Sequence, residues 1–159
     1  MALSRVIRLL DNVINLNENA IINEILSNKD FQQFIIDLNT GDQLFEEGIN
    51  ALGVSLESIG GPYTEATIHG IPGVFKGKLD KGQPIDRITL KDTGDFYKTF
   101  KIVLGESSFQ IEADGKKDGD NLFTRWGKDV VGLTDENTQK VIDAIRKRIV
   151  PIIRERIAA

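Results

Sequence analysis

The sequence predicts an α+β fold, in which helices pack on one face of a small twisted antiparallel β-sheet. Three observations indicate this class. The first half of the chain carries apolar residues at helical spacing, residues 100–113 alternate between apolar and polar, and the segment after Thr134 returns to helical spacing. A long glycine- and proline-rich loop separates the first helices from the predicted sheet. We therefore expect a helical start, a long loop, a hairpin and a C-terminal helix.

The 159 residues are 40% apolar and 28% charged, which is typical of one domain with a hydrophobic core. We divide the chain into a helical N-terminal segment, residues 1–38, and an α+β domain, residues 39–159, and expect both to form one compact unit. No stretch approaches the roughly 20 apolar residues of a membrane span. Polar residues interrupt the apolar N-terminus, so we predict no secretory signal. The absence of cysteine predicts no disulfide and fits a protein made in a reducing cytosol.

Three apolar stripes predict helices in the first half of the chain. Their residues are Leu3, Val6, Ile7, Leu10 and Ile14, then Ile21, Ile22, Ile25 and Leu26, then Phe31, Phe34, Ile35, Leu38 and Phe45. Asn17, Asn28 and Thr40 are candidate N-caps, because their side-chain oxygens can accept hydrogen bonds from the first N–H groups of a helix. Gly41 weakens the third helix, so a break is allowed there, and Gly48 marks its end.

Residues 48–87 contain eleven glycines and prolines and predict a long, partly irregular loop. A short helix is expected near the sequence PYTEATIHG, where Pro62 and Thr64 are helix-start signals. Loops of this length inside a compact domain are usually functional or mobile.

Alternating apolar residues predict a β-hairpin with one buried face. Its inward residues are Phe100, Ile102 and Leu104 on one strand and Phe109, Ile111 and Ala113 on the other, joined by the turn GES. A polar loop, DGKKDGDN, follows it. Thr134 is predicted to cap the final helix. Because Pro151 removes one helical hydrogen bond, we expect a kink or break at that position.

The sequence Asp92-Thr93-Gly94 has two interpretations. It is the signature of aspartic proteases, whose two catalytic carboxylates share one proton, so a short chain must dimerise to supply both. Lys91 before the motif and Asp95 after it do not suit that dyad. In the structural interpretation, Asp92 or Thr93 caps a turn into the hairpin and Gly94 provides its backbone angle. Phe96 and Phe100 then pack on one side, and we favour this interpretation.

The sequence gives even less support for the other candidate sites. Asp114, Asp118 and Asp120 are closely spaced oxygen donors, but Arg125 stands where an EF-hand needs a bidentate glutamate. A Ser–His pairing of His69, the single histidine, with Ser107 or Ser108 stays open, although nothing else in the sequence supports it. Trp126 could stack a nucleic-acid base, although a lone tryptophan is more often core or interface. We therefore predict no enzyme activity, no metal and no cofactor.

Charge is distributed unevenly along the chain. The net charge is −4, but the segment from Lys140 to the C-terminus carries six basic and two acidic residues. The net charge does not favour a general nucleic-acid binder. An acidic body and a basic helix can pair between copies, which makes Lys140, Lys147 and Arg154 candidate inter-subunit contacts. A solvated helix face explains these residues equally well.

The order of several short motifs resembles a known family. GINALGVSL, PYT, KGQPIDRITLKDTGDFYKTF, LFTRWG and VVGLT follow one another before the final helix. They resemble the neck and tail-completion proteins of tailed bacteriophages, most closely small virion proteins of the crAss-like phages that infect Bacteroidetes. The resemblance covers roughly residues 40–157 and leaves the helical N-terminus unmatched. The positions that carry it are Leu90, Thr93, Gly94, Phe96, Thr99, Phe100, Trp126, Gly127, Gly132 and Leu133.

The resemblance implies a virion structural protein, assembled in the bacterial cytoplasm, that forms a homo-oligomeric ring of six or twelve copies. Such a ring, of the tail-completion or tail-terminator type, joins head to tail beside portal, neck and tail proteins. It implies that genomic DNA passes through the lumen without sequence-specific binding, and that the glycine-rich loop orders against neighbours. It implies neither a cofactor nor a membrane. Two alternatives stay open: a dimeric aspartic-type hydrolase that uses Asp92, and a phage-encoded protein that binds a host factor.

Overall fold

The computed structural model describes residues 7, 13, 16–117 and 119–158. Its helices in chain order are α1 (Glu18–Ser27), α2 (Lys29–Asp37), a π-helix (Leu38–Glu47), α3 (Leu56–Gly60), α4 (Glu65–His69), α5 (Asp95–Lys98), α6 (Leu122–Trp126), a 3₁₀ turn (Lys128–Val130) and α7 (Asp135–Ala158). Its strands are β1 (Gly70–Ile71), β2 (Phe75–Lys76), β3 (Lys101–Leu104), β4 (Phe109–Glu112), β5 (Lys116–Lys117) and β6 (Asp120–Asn121). The predicted α+β class and C-terminal helix are confirmed.

The helical pattern of the first half is largely confirmed. Asn17 and Asn28 cap α1 and α2, since their Oδ1 atoms accept from the N–H groups of Ala20 at 3.1 Å and Phe31 at 3.0 Å. The predicted stripe positions Leu3, Val6, Leu10 and Ile14 lie outside the described residues.

The third helix differs from the prediction. Gly41 does not break it, because the chain continues from α2 into a π-helix that ends at Gly48, which has a φ of 65°. Thr40 is not an N-cap, since its hydroxyl donates to the carbonyl of Ile36 at 2.9 Å inside the continuous helix. The wider π-helical turn directs buried polar side chains toward a distant loop, which is described below.

The predicted hairpin is confirmed as the pair β3–β4, with Ile102 opposite Ile111 and Leu104 opposite Phe109. Gly105 closes the turn by donating to the carbonyl of Ser108 at 2.9 Å. Leu104 departs from the predicted inward face, since 38% of it is exposed. The predicted single sheet is not formed in the described residues, where β1–β2, β3–β4 and β5–β6 are three separate antiparallel pairs.

Two apolar clusters form the core. The first joins α1, α2 and α7 around buried Phe31, Ile35 and Val141, and the hairpin residues Ile102 and Ile111 pack against it. The buried residues of the second cluster are Leu44, Leu56, Ile88, Phe96, Phe100 and Val130. Ile111 contacts both clusters, so β4 links the helical layer to the loop-rich half.

The last helix runs through Pro151 to Ala158, so the predicted break there is wrong. One lost hydrogen bond is offset by packing, because Ile149, Ile152 and Ile153 contact the first cluster on both sides of the proline. Thr134 caps this helix as predicted, accepting from the N–H of Asn137 at 3.3 Å.

Within the described part of the chain, no helix has the length and apolar character needed to cross a membrane.

Candidate functional site: a lysine-lined cavity beside an apolar hairpin

The carboxylate of Asp92 lies between two lysines. Lys81 donates to its Oδ1 atom and Lys117 lies 3.1 Å from its Oδ2 atom. The hydrogen bond from Lys81 lowers the pKa of Asp92, partial burial opposes this, and Lys117 lowers it further. Asp92 is therefore held ionised as a tether between the loop at Lys81 and strand β5. This differs from a protease dyad, in which one carboxyl must keep a proton.

Asp92→Asn tests this tether through its pH dependence. The folded-state pKa lies below the unfolded value, so the carboxylate stabilises the fold above the unfolded pKa and loses that contribution as pH falls through the folded pKa. We expect the variant to be less stable at pH 7 by no more than about 1 kcal/mol, because the pair is partly exposed. In urea denaturation the difference should begin to shrink below about pH 4, the unfolded value, and should disappear below the folded-state pKa. A difference that persists unchanged at pH 3 would contradict the ionic tether.

The rest of the motif forms the turn that precedes the hairpin. Gly94 has a φ of 89° and immediately precedes α5. The hydroxyl of Thr93 donates to the carboxylate of Asp95, and the N–H of Asp95 lies 3.4 Å from that hydroxyl. Phe96 is 5% exposed, and its ring centroid lies 5.1 Å from that of Phe100. These contacts agree with the structural interpretation of the motif.

Two tyrosines hold the segment before the motif. The N–H of Thr89 donates to the hydroxyl of Tyr63 at 2.9 Å, and the hydroxyl of Tyr97 donates to the carbonyl of Thr89. Burial raises the pKa of Tyr97, and Tyr63 adds to the shift. Leu90, the next residue, has a φ of 54°, a left-handed conformation that costs a branched side chain about 1–2 kcal/mol. Such strain persists only where surrounding contacts fix the backbone.

Trp126 packs on Gly60 and joins α6 to α3. The guanidinium of Arg125 lies 4.6 Å from the indole and donates to the carbonyl of Gly60. Gly127 ends α6 with a φ of 78°. The predicted core or interface position of Trp126 agrees with its partial burial. Its buried Nε1 atom has no hydrogen-bond partner among the described residues.

Gly60→Ala is expected to destabilise the protein by about 1–3 kcal/mol, because the new Cβ would lie 2.4 Å from Nε1 of Trp126. Trp126 is the single tryptophan of the chain, so its fluorescence reports the displacement directly during urea denaturation. Gly41→Ala is the matched control, since its Cβ meets nothing within 4 Å. The control should be as stable as the wild type or more stable by up to about 1 kcal/mol. Equal stability of the two variants would contradict the close packing at Gly60.

Gly132 and Leu133 lie in a loop fixed by buried amides of the π-helix. The N–H of Gly132 donates to Asn39 at 2.8 Å, and its carbonyl accepts from Gln43 at 2.9 Å. Oε1 of Gln43 also accepts from the N–H of Thr134 at 2.9 Å. Leu133 packs on the first cluster. These motif residues therefore fix the start of α7.

A cavity of about 280 Å³ brings together segments that are distant in the sequence. We call it the lysine cavity; its lining includes Tyr63, Phe75, Lys76, Lys78, Leu90, Asp92, Lys117 and Trp126. Three predicted motif residues, Leu90, Asp92 and Trp126, thus meet in one place. The lysines and Tyr63 were not predicted as site residues, because they come from separate segments of the chain and share no local pattern.

The hairpin β1–β2 stands beside this cavity and exposes apolar side chains. Ile71 is 43% exposed, Val74 74% and Phe75 46%. The tight stem requires glycine: a Cβ on Gly70 would lie 2.4 Å from the N atom of Gly77. The sequence GIPGVFKG lies inside the segment predicted as an irregular loop, so this hairpin was not predicted. The feature that could have indicated it is the presence of large apolar residues between turn-forming residues.

The basic residues of α7 are partly engaged within the chain. Lys140 lies 3.2 Å from Glu136 and 3.5 Å from Asp42, and the hydrogen bond to Glu136 raises its pKa. Lys147 and Arg154 are exposed and make no ion pair with any residue that the structure describes.

The calcium interpretation gains no geometric support. Asp114 accepts from the N–H of Lys116 at 2.9 Å, Asp120 lies in β6, and Asp118 lies outside the described residues. Across residues 16–117 and 119–158, no three acidic or histidine side chains are grouped to hold a metal ion. His69 lies 3.3 Å from Glu65.

Comparison of this chain with protein-family models, curated proteins and solved structures gives no significant match. The resemblance to phage neck and tail-completion proteins therefore depends on the sequence motifs alone.

Proposed function

We propose that this chain is a structural subunit of a tailed-bacteriophage neck, of the tail-completion or tail-terminator type, which assembles into a ring that joins head to tail. The motif resemblance supplies the class of assembly. The main structural support is the hairpin β1–β2, which exposes Ile71, Val74 and Phe75 beside the lysine cavity. Contiguous exposed apolar side chains mark protein contact surfaces.

The positions of the motif residues fit a scaffold role. Asp92 is an ion-paired tether, Gly94 forms a turn, and Phe96 and Phe100 lie in the core. Each of these roles shapes or stabilises the fold, and none requires a bound substrate. The same motif can therefore build a subunit that acts by fitting its neighbours.

A ring requires a heterologous contact, in which one surface of each copy meets a different surface of the next. The chain has the charge asymmetry that such a contact can use, with a net negative body and a basic final helix. In a ring around DNA, an acidic lumen would repel the phosphates and let the genome pass. Portal, neck and tail proteins would contact the two faces of the ring.

The copy number of the chain in purified phage particles tests this proposal. Quantitative mass spectrometry should find it at six or twelve copies per particle. Absence from the particle would overturn the proposal and favour a protein that binds a host factor. A pepstatin-sensitive peptidase activity that is lost in Asp92→Asn would instead favour the hydrolase alternative.

A further inference from the structure

The lysine cavity contains a buried positive charge that has no negative partner among the residues the structure describes. Lys78 is 5% exposed, and its ammonium group donates to Oε1 of Gln83 at 3.0 Å and to the carbonyl of Lys91. It also lies 4.6 Å from the ring centroid of Tyr63. All three contacts are with neutral groups. A buried ammonium in neutral surroundings is costly, so an added negative charge would be favourable there.

The neighbouring charges do not supply that negative partner. Asp92 lines the cavity, but Lys81 and Lys117 already neutralise it. Lys76 also lines the cavity, is exposed, and forms no ion pair within the described ranges. The cavity therefore has an excess of positive charge and suits a carboxylate from outside.

The apolar hairpin indicates that this carboxylate belongs to a polypeptide. Phe75 lines the cavity and is also 46% exposed, so the cavity and the hairpin form one continuous surface. A small anion would leave Val74 and Ile71 in water. A protein surface with both a carboxylate and apolar side chains would cover the two features together.

A surface of this kind is present on the chain itself, and we call it the acidic surface. It lies in residues 46–59, which fold back on themselves through the Ile49–Ser55 bridge and a 2.8 Å bond from Leu56 N–H to the carbonyl of Gly48. Leu52 is 70% exposed, Val54 40% and Ile59 42%. Glu47 and Glu57 are exposed and have no ion-pair partner in the described residues.

We propose that the acidic surface of one copy docks on the lysine cavity and hairpin β1–β2 of the next copy. A carboxylate of the acidic surface then approaches Lys76 and Lys78, and Leu52 and Val54 cover Val74 and Phe75. This contact is heterologous, so each bound pair keeps one free surface of each kind and can add further copies. The inference rests on the proposed function in taking the partner to be a second copy.

Cross-linking tests the contact directly, because the chain has no native cysteine. Val74→Cys and Leu52→Cys chains are purified separately, mixed, and oxidised under mild conditions. We expect the mixed Val74→Cys–Leu52→Cys disulfide to form well beyond the roughly twofold excess over each homodimer that random pairing gives. Val103→Cys, at an exposed site on β3, is the control partner and should give no such excess. A dominant Val74→Cys homodimer, or no preference over the control, would overturn the proposal.

Charge reversal gives a second measurement on the unmodified contact. Lys76→Glu and Glu57→Lys should each weaken association in sedimentation analysis roughly tenfold, since like charges would face each other. The double variant should recover most of the loss. Lys147→Glu tests the alternative contact through the basic helix α7 and should have little effect if the lysine cavity is the contact. If it weakens association and Lys76→Glu does not, the contact lies on α7 and the proposal is wrong.

The two proposals fail in distinguishable ways. A ring copy number in phage particles, combined with no Val74→Cys–Leu52→Cys cross-link in those particles, would reject this interface and retain the neck function. The specific cross-link in the purified chain, combined with absence from particles, would retain the interface and reject the neck function.

Discussion

Phe96→Ala should destabilise the protein by about 3–5 kcal/mol, the range for removing a buried phenylalanine ring. Phe96 is 5% exposed, and its ring contacts those of Phe100, Phe123 and Tyr97 at centroid distances of 5.1, 6.2 and 6.3 Å. Truncation therefore leaves a cavity between α5 and α6. Because α6 carries Leu122 and Trp126 into the lysine cavity, docking should weaken as well.

Phe75→Ala is the matched control for this prediction. It removes the same ring from a site that is 46% exposed, so unfolding should change by no more than about 1 kcal/mol. Phe96→Leu should lie between them, because it keeps part of the buried volume. Urea denaturation measures all three. If Phe96→Ala costs no more than Phe75→Ala, the segment after Gly94 does not act as a core scaffold.

The helix caps and the β3–β4 hairpin could be predicted from the sequence, because the residues that form them are close together in the chain. Asn17, Asn28, Thr64 and Thr134 each accept from an N–H three residues ahead, so composition and spacing suffice to find them. The β3–β4 hairpin was equally local. The resulting α+β class was therefore available from periodicity alone.

Long-range contacts decide the features that the sequence did not reveal. The π-helix is stabilised where Asn39 reaches Val130 and Gly132, more than 90 residues later in the chain. The helical pattern around Gly41 does not indicate those partners, because they are distant in the sequence. Pro151 is a similar case, since packing on the first cluster outweighs one missing hydrogen bond.

Only some residues of the candidate site could be predicted from the sequence, for the same reason. Asp92 and Trp126 are conspicuous as residue types, but the lysines around them come from strands and loops that are separate in the sequence. The sequence around Lys78 is typical of an exposed loop, yet the residue is 5% exposed and its ammonium contacts Tyr63 and Gln83. The apolar residues of β1–β2 were missed because each strand has two residues, too few for a period to appear.

Gln43→Ala should cost about 3–4 kcal/mol, because it leaves several buried polar groups without partners. Gln43 is fully buried and donates to the carbonyl of Gly132, while its Oε1 atom accepts from Thr134 and from Asn137, each at 2.9 Å. Alanine replaces none of these bonds. The loop before α7 should loosen, and the N-terminal end of that helix should lose its fixed position on the π-helix.

Amide hydrogen exchange separates this mechanism from a general loss of stability. In Gln43→Ala, the N–H of Thr134 should lose more protection than that of Gly132, which keeps its bond to Asn39. Gln33→Ala is the control, since its amide donates to Asp37 on an exposed face, and it should cost no more than about 0.5 kcal/mol. Equal costs for both variants would mean that these buried amides do not hold the loop. Another interaction would then have to explain the π-helix, because its buried amides would not stabilise it relative to an ordinary α-helix.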